Sequence, residues 1–107
     1  MNSMKGYQKK YLKGLAHGLK PTVFVGQKGA VASVVKALND ALDKHELIKV
    51  KFVEFKEKSQ KEAILGALEK ETSAVRVGLI GHMAILYRQQ KDPDKRTIKV
   101  PVRKTEA

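Results

Sequence analysis

Between Ser3 and His17 the apolar residues Met4, Tyr7, Tyr11 and Leu15, with Leu12 and Leu19 beside them, recur at the spacing that buries one face of a helix. Lys5, Lys9 and Lys13 then fall on the opposite face. Gly18 and Pro21 end this helix, because glycine accepts the conformation found just past a helix end and the residue before proline avoids the helical region. Thr22-Val23-Phe24-Val25 is β-branched and aromatic and predicts a short buried strand. After Gly26-Gln27-Lys28-Gly29 the helical spacing returns at Val31, Val34, Val35, Leu38 and Leu42. Leu47 to Phe55 alternates Ile48, Val50 and Phe52 with Lys49, Lys51 and Val53, the pattern of a half-exposed strand. Ser59-Gln60-Lys61-Glu62 has the spacing of a capping box and opens a third helix to about Glu71, with Ile64, Ala67 and Leu68 inward. Val75, Val77 and Leu79 alternate with Arg76 and Gly78, Gly81-His82 turns the chain, and Met83 to Tyr87 completes a β-hairpin ending at Arg88.

The order αβαβαββ predicts one α/β domain, a four-stranded mixed sheet carrying three helices. Lys91 to Arg96 is polar and broken by Pro93, and only Ile98, Val100 and Val102 are apolar beyond it. Residues 1–90 therefore read as the domain and residues 91–107 as a basic C-terminal arm, docked at most in part. A fixed-period repeat is not visible.

Charge changes the picture more than composition does. The 107 residues hold 22 Lys plus Arg against 11 Asp plus Glu, a formal charge of +11, while 42% hydrophobic residues mark a folded chain. Residues 1–39 carry seven lysines and no acid; residues 40–75 sum to −1 and residues 76–107 to +5. Solvated surfaces mix both signs, so an acid-free stretch of this length points to a polyanionic partner.

Several function classes drop out. Without cysteine there is no disulfide framework, thiolate zinc site or thiol nucleophile, and His17, His45 and His82 are isolated, so no metal and no cofactor is expected. The acids at 40, 43, 46, 54, 57, 62, 69 and 71 form no paired-carboxylate pattern, and no nucleophile, base and orienter set stands out, so the chain reads as a non-enzyme. It lacks the apolar run of about 20 residues that a membrane span needs, and its start lacks a signal-peptide core, so a cytoplasmic protein with no membrane or small-molecule partner is expected. A nuclease or other hydrolase is the reading that release of RNA fragments would restore.

Gly26-Gln27-Lys28-Gly29 carries the clearest chemistry. Two glycines let backbone approach a ligand closely, the following helix presents unpaired N–H groups, and Lys28 adds a positive charge, which together suit a phosphate. The bland alternative is a plain strand-to-helix turn. Neither the P-loop nor the dinucleotide pattern is present, which disfavours ATP and NAD. KH domains clamp nucleic-acid backbone with a GxxG loop, so RNA is the nearest physical analogue for the loop. Lys5, Lys9 and Lys13 repel one another at four-residue spacing with no acid in the segment to relieve them, which favours a phosphate-facing stripe over a solvated face. The aromatics Tyr7, Tyr11, Phe24, Phe52 and Tyr87, all but Phe55, fall on apolar phases, so core packing is expected for most of them and no base-stacking platform is evident.

Leu12-Lys13-Gly14-Leu15-Ala16-His17-Gly18-Leu19-Lys20-Pro21, Val25-Gly26-Gln27-Lys28-Gly29, Ala41-Leu42, His45-Glu46-Leu47-Ile48-Lys49-Val50-Lys51, Ile80-Gly81, Leu86-Tyr87-Arg88 and Ile98-Lys99-Val100-Pro101 together resemble bacterial single-domain CRM proteins of the YhbY type. The resemblance runs in order over nearly the whole chain. It implies an RNA-binding domain related in fold to the C-terminal domain of translation initiation factor three and associated with precursors of the large ribosomal subunit; in plants the module serves group II intron splicing. The family's loop maps onto Gly26, Gln27, Lys28 and Gly29 and its basic first helix onto Lys9, Lys10 and Lys13. Gln27 departs from the family, where a second basic residue is common, and Ala30 to Ser33 lacks a polar cap. The expected RNA footprint is Lys5, Lys9, Lys10, Lys13, Lys20, Gly26, Gln27, Lys28, Gly29 and Arg88, on a monomer that contacts ribosomal RNA of the pre-large subunit. The alternative is an adaptor on the ribosome that binds protein through the strand at Lys49 and Lys51 or through the Val-rich tail.

Overall fold

The computed structural model describes residues 4–102. Ser3, the expected start of the first helix, and residues 103–107 of the arm lie outside the described residues. Three helices and four strands follow in the expected order: α1 (Gly6–Ala16), β1 (Val23–Val25), α2 (Ala32–His45), β2 (Leu47–Phe52), α3 (Lys58–Thr72), β3 (Val75–Ile80) and β4 (Met83–Tyr87), then a 3-10 turn, Pro93–Lys95. The sheet runs β1-β2-β4-β3 and is mixed. β1 and β2 are parallel, joined by α2 as a crossover. β2 with β4 and β3 with β4 are antiparallel.

Each face of the sheet packs differently. On the first face Val23, Val25, Ile48, Val50, Phe52, Ala84 and Leu86 meet Leu38 and Leu42 of α2 and Leu65 and Leu68 of α3. On the second face Leu47, Val77, Ile85 and Tyr87 lie under Leu12 and Ala16 of α1, the one helix on that side. β2 is thus buried on both faces at its start, where Leu47 and Ile48 point to opposite cores.

α1 buries a different stripe from the one its apolar spacing suggests. Leu12 and Ala16 are fully buried, whereas Tyr11 and Leu15 are 42% and 43% exposed. Small Ala16 lets the helix approach the sheet, and the bulkier stripe turns sideways onto a groove of about 530 Å³ shared with Thr97, Ile98 and Lys99. The capping box is also absent. α3 begins at Lys58, before Ser59, and its N-cap, Glu57, makes no side-chain cap. Its inward positions are Lys61, Leu65, Leu68 and Thr72, while Ala67 is exposed. In β3 a bulge between Arg76 and Gly78 breaks the alternation. An extra residue resets the phase, so Val77 faces α1 while Leu79 packs on the first core.

The C-terminal segment closes the lower end of the second face. Glu46, the α2 C-cap at φ +62°, is buried, and its carboxylate accepts from the N–H groups of Gln90 (2.7 Å), Thr97 (2.8 Å) and Ile98 (3.1 Å) and from the Thr97 hydroxyl (3.2 Å). Ile98 and Val100 then pack beside Met4 on the α1 core, and the Gln8 side chain donates to the Pro101 carbonyl at 3.0 Å. Residues 97–101 act as a strap.

Candidate nucleic-acid interface

The turn after β1 is closed by the Gly29 N–H, which donates to the Gly26 carbonyl at 3.0 Å. Gln27 and Lys28 are therefore its two exposed corners, and Gly29 is buried. Gly29 takes φ +69°, a conformation that L side chains rarely adopt, and a Cβ there would stand 3.7 Å from Ile64 and 4.0 Å from the Phe55 ring. Phe55 packs against the first core and seats the turn. α2 starts at Ala32, and its N-cap, Val31, offers no side-chain oxygen. α2 thus begins three residues after Gly29 with no side-chain cap, and a helix start carries partial positive charge, which suits an anion.

The lysines of α1 do not stand opposite its buried face. Lys9 is half-buried and Lys13 exposed along the flank toward β3. Lys13 lies across Gly78: a Cβ at Gly78 would fall 2.7 Å from the Lys13 Cε. The glycine next to the bulge therefore leaves room for the lysine stem to run flat over the strand. Lys10 is exposed on the outer side and Lys5 is the N-cap of the helix, its N–H donating to the Gln8 side chain at 2.9 Å. Lys20 lies on the other flank, in the groove shared with the strap.

Arg88 sits apart from the rest, at the end of β4 opposite the turn. Its guanidinium donates to the Asn39 side chain and carbonyl, the Thr72 carbonyl and the Asp43 carboxylate, at 2.7 to 3.2 Å. It ties α2 to the C-terminus of α3, where helix carbonyls carry partial negative charge. The site residues thus separate into the turn at the top of β1, Lys9 and Lys13 along β3, Lys20 below β1, and an inward-directed Arg88.

Two further residues differ from the sequence reading. Phe24, expected in the core, is 53% exposed on the second face, because a three-residue strand in a one-sided core buries only Val23 and Val25. Lys61 is 5% exposed; its ammonium donates to the Gly81 carbonyl and stands 3.4 Å from His82 Nδ1, holding the hairpin tip against α3. The signal for Lys61 was present, since it lies on the same helical stripe as Leu65, Leu68 and Thr72.

Charge is sorted by layer. Among the described residues the acids lie on α2, α3, the segments flanking α3, the 3-10 turn and its N-cap, and at Glu46 between α2 and β2, and none lies on α1, the four strands or the turn after β1. Arg76, the one basic residue of β3, pairs with Glu69 at 2.9 Å on the α3 side. No group of three metal-ligating side chains occurs among the described residues, and no helix there is long and apolar enough to cross a membrane.

Residues 4–88 match the model of the CRS1 / YhbY (CRM) domain. The chain belongs to that family. A Haemophilus influenzae relative named "RNA-binding protein" is 41% identical over 86% of this chain and 92% of its own. A Pseudomonas aeruginosa relative named "Probable RNA-binding protein" is 39% identical over 82% of this chain and 84% of its own. The solution structure of a Staphylococcus aureus protein superposes with a TM-score of 0.76 at 30% identity, covering 91% of this chain and all of that one. The three-helix, four-strand CRM architecture is thus shared by sequence and by fold, and the turn, α1 and the hairpin all fall inside the matched residues.

Proposed function

We propose that this CRM domain is a non-catalytic RNA-binding protein of the cytoplasm that holds ribosomal RNA of the large-subunit precursor by its phosphates, as an assembly or maturation factor. The observation that carries the reading is the Gly26–Gly29 turn, which exposes Lys28 ahead of the uncapped start of α2 and contains no acid itself. Relatives named for RNA binding support it. Lys28 and the loop amides take the central phosphates, with Lys9 and Lys13 and then Lys5, Lys10 and Lys20 extending the contact. Residues 1–90 are the binding unit and residues 91–107 a basic arm, of which residues 97–101 strap the lower face.

Binding of a large-subunit ribosomal RNA fragment over a salt series tests the proposal. The log–log slope is expected at roughly 0.7 to 0.9 per phosphate neutralised, and the combined Lys28→Ala, Lys9→Ala, Lys13→Ala variant is expected to flatten it by about three units. An unchanged slope moves the contact to Arg88 and the arm and overturns this placement. The groove beside Tyr11, Leu15 and Leu19 favours a second reading, an adaptor that binds protein. Failure of the intact chain to bind RNA leaves that reading in place.

A further inference from the structure

One row of side chains crosses the whole sheet on the part of the second face that α1 leaves uncovered. Phe24 pairs with Lys51, Lys51 with Met83 and Met83 with Ile80, in the spatial order β1-β2-β4-β3. Directly opposed residues of paired strands point to the same face. That face is the second one, because Val23, Val25, Val50, Phe52, Ala84 and Leu79 contact the first core. Phe24 is 53% and Ile80 64% exposed, Lys51 is exposed and Met83 half-buried. With strands about 4.8 Å apart, the row is about 14 Å long.

We propose that this row is a stacking platform for unpaired nucleobases of the RNA strand whose phosphates the Gly26–Gly29 turn holds; it rests on the RNA-binding reading above and adds that the target is single-stranded where it meets the sheet. Continuity supports it. Phe24 stands two residues before Gly26, so a strand clamped at the turn continues onto the ring. Charge supports it too. Lys51 is in the row, Lys13 crosses Gly78 at the β3 edge and Lys28 follows Phe24 by four residues in the exposed turn, while no acid lies on any strand among the described residues. An apolar surface set among cations fits a ligand that joins π-faces to phosphates. The platform is also held rigid at its top. The Phe52 N–H donates to the His82 carbonyl at 2.8 Å, and Lys61 fixes the same hairpin from below.

The test compares a fluorescent oligouridine strand with an RNA duplex of the same length, using the intact chain, Phe24→Ala, Phe24→Trp and Lys28→Ala. Phe24 is exposed, so both of its variants are expected to fold, which circular dichroism checks. Phe24→Ala is expected to weaken single-strand binding by about 5- to 150-fold with the salt slope unchanged and duplex binding unchanged. Since the chain has no tryptophan, Phe24→Trp supplies a single reporter, expected to be quenched by the single strand and not by the duplex. Equal binding by Phe24→Ala and the intact chain, with Lys28→Ala still flattening the salt slope, overturns the platform and leaves the RNA reading intact. Equal weakening toward both RNAs also overturns it. If the intact chain binds neither RNA at low salt, the RNA reading fails and the platform falls with it. A dimer in sedimentation that Phe24→Ala disperses assigns the row to a second copy of the chain and overturns the proposal.

Discussion

Replacing Glu46 by Gln tests how the C-terminal strap is held. The carboxylate accepts four hydrogen bonds, three on Oε1 from Thr97 N–H, the Thr97 hydroxyl and Ile98 N–H, and one on Oε2 from Gln90 N–H. Gln keeps one acceptor oxygen, so the three bonds to Thr97 and Ile98 survive as neutral bonds while the Gln90 N–H meets an amide NH2. A buried donor left unmade costs about 1 to 3 kcal/mol, and a bond to a charged group exceeds a neutral one by about 1 kcal/mol. With Gln90 half-buried and the charge shared among three bonds, the expected loss is about 3 kcal/mol, large against the roughly 5 to 15 kcal/mol of a domain this size. The substitution leaves the φ +62° backbone of residue 46 unchanged, so strain cancels in the comparison.

The pH dependence has a definite sign. Burial pushes the Glu46 carboxyl up, but the amides of Gln90, Thr97 and Ile98 and the Thr97 hydroxyl lower it further, leaving it below the usual carboxylate range. A depressed folded pKa makes the contribution full above the unfolded value of about 4.3 and lost as pH falls through the folded value. Urea midpoints of the wild type and Glu46→Gln are therefore expected to differ most at neutral pH and to converge in acid. Amide exchange at Thr97 and Ile98 separates local release of the strap from global unfolding. Equal midpoints at neutral pH with unchanged exchange at both amides would refute the reasoning.

Arg88→Ala removes a four-bond clamp between α2, α3 and β4, and urea denaturation is expected to show a loss of about 2 to 4 kcal/mol while the salt slope of RNA binding stays the same. Gly29→Ala must place a Cβ at φ +69°, so the thermal midpoint is expected to fall by the equivalent of about 1 to 2 kcal/mol. Gly78→Ala displaces the flexible Lys13 stem, so stability should change by less than about 1 kcal/mol while RNA affinity drops at low salt, measured by titration.

The local signals that were legible share one property: they depend on one partner surface. The αβαβαββ order, the first-core stripe Ile48, Val50 and Phe52 of β2 and the two-residue hairpin loop with Gly81 at φ +59° were readable because a single core decides each of them. α1 was misread where two surfaces compete, since its larger apolar stripe serves the groove beside the strap and the smaller Leu12–Ala16 pair serves the sheet. β3 was misread at its bulge, where one inserted residue puts Val77 and Leu79 on opposite faces. The exposure of Phe24 was hidden because hydrophobicity reports a residue's type and the extent of α1 decides whether that part of the sheet is covered.

That extent also explains the placement of the basic site. The first face is covered by α2 and α3, with 14 and 15 residues, and the second by the 11 residues of α1 plus the strap. Leu12 and Ala16 anchor α1 over the lower sheet, so the upper cross-strand row has no helix above it. The acid-free opening 39 residues of the sequence contribute α1, β1, the turn and the first half of α2, and all but the last belong to the open side or its rim. The acids of α2 and α3 lie on the layer that covers the first face. A charge asymmetry along the chain becomes, through the crossover from β1 to β2, a charge asymmetry across the sheet. The cations of α1, of the turn and at Lys51 then stand where the backbone turn and the uncovered row are presented, an arrangement that favours a polyanion on that face over the acid-bearing helices behind it.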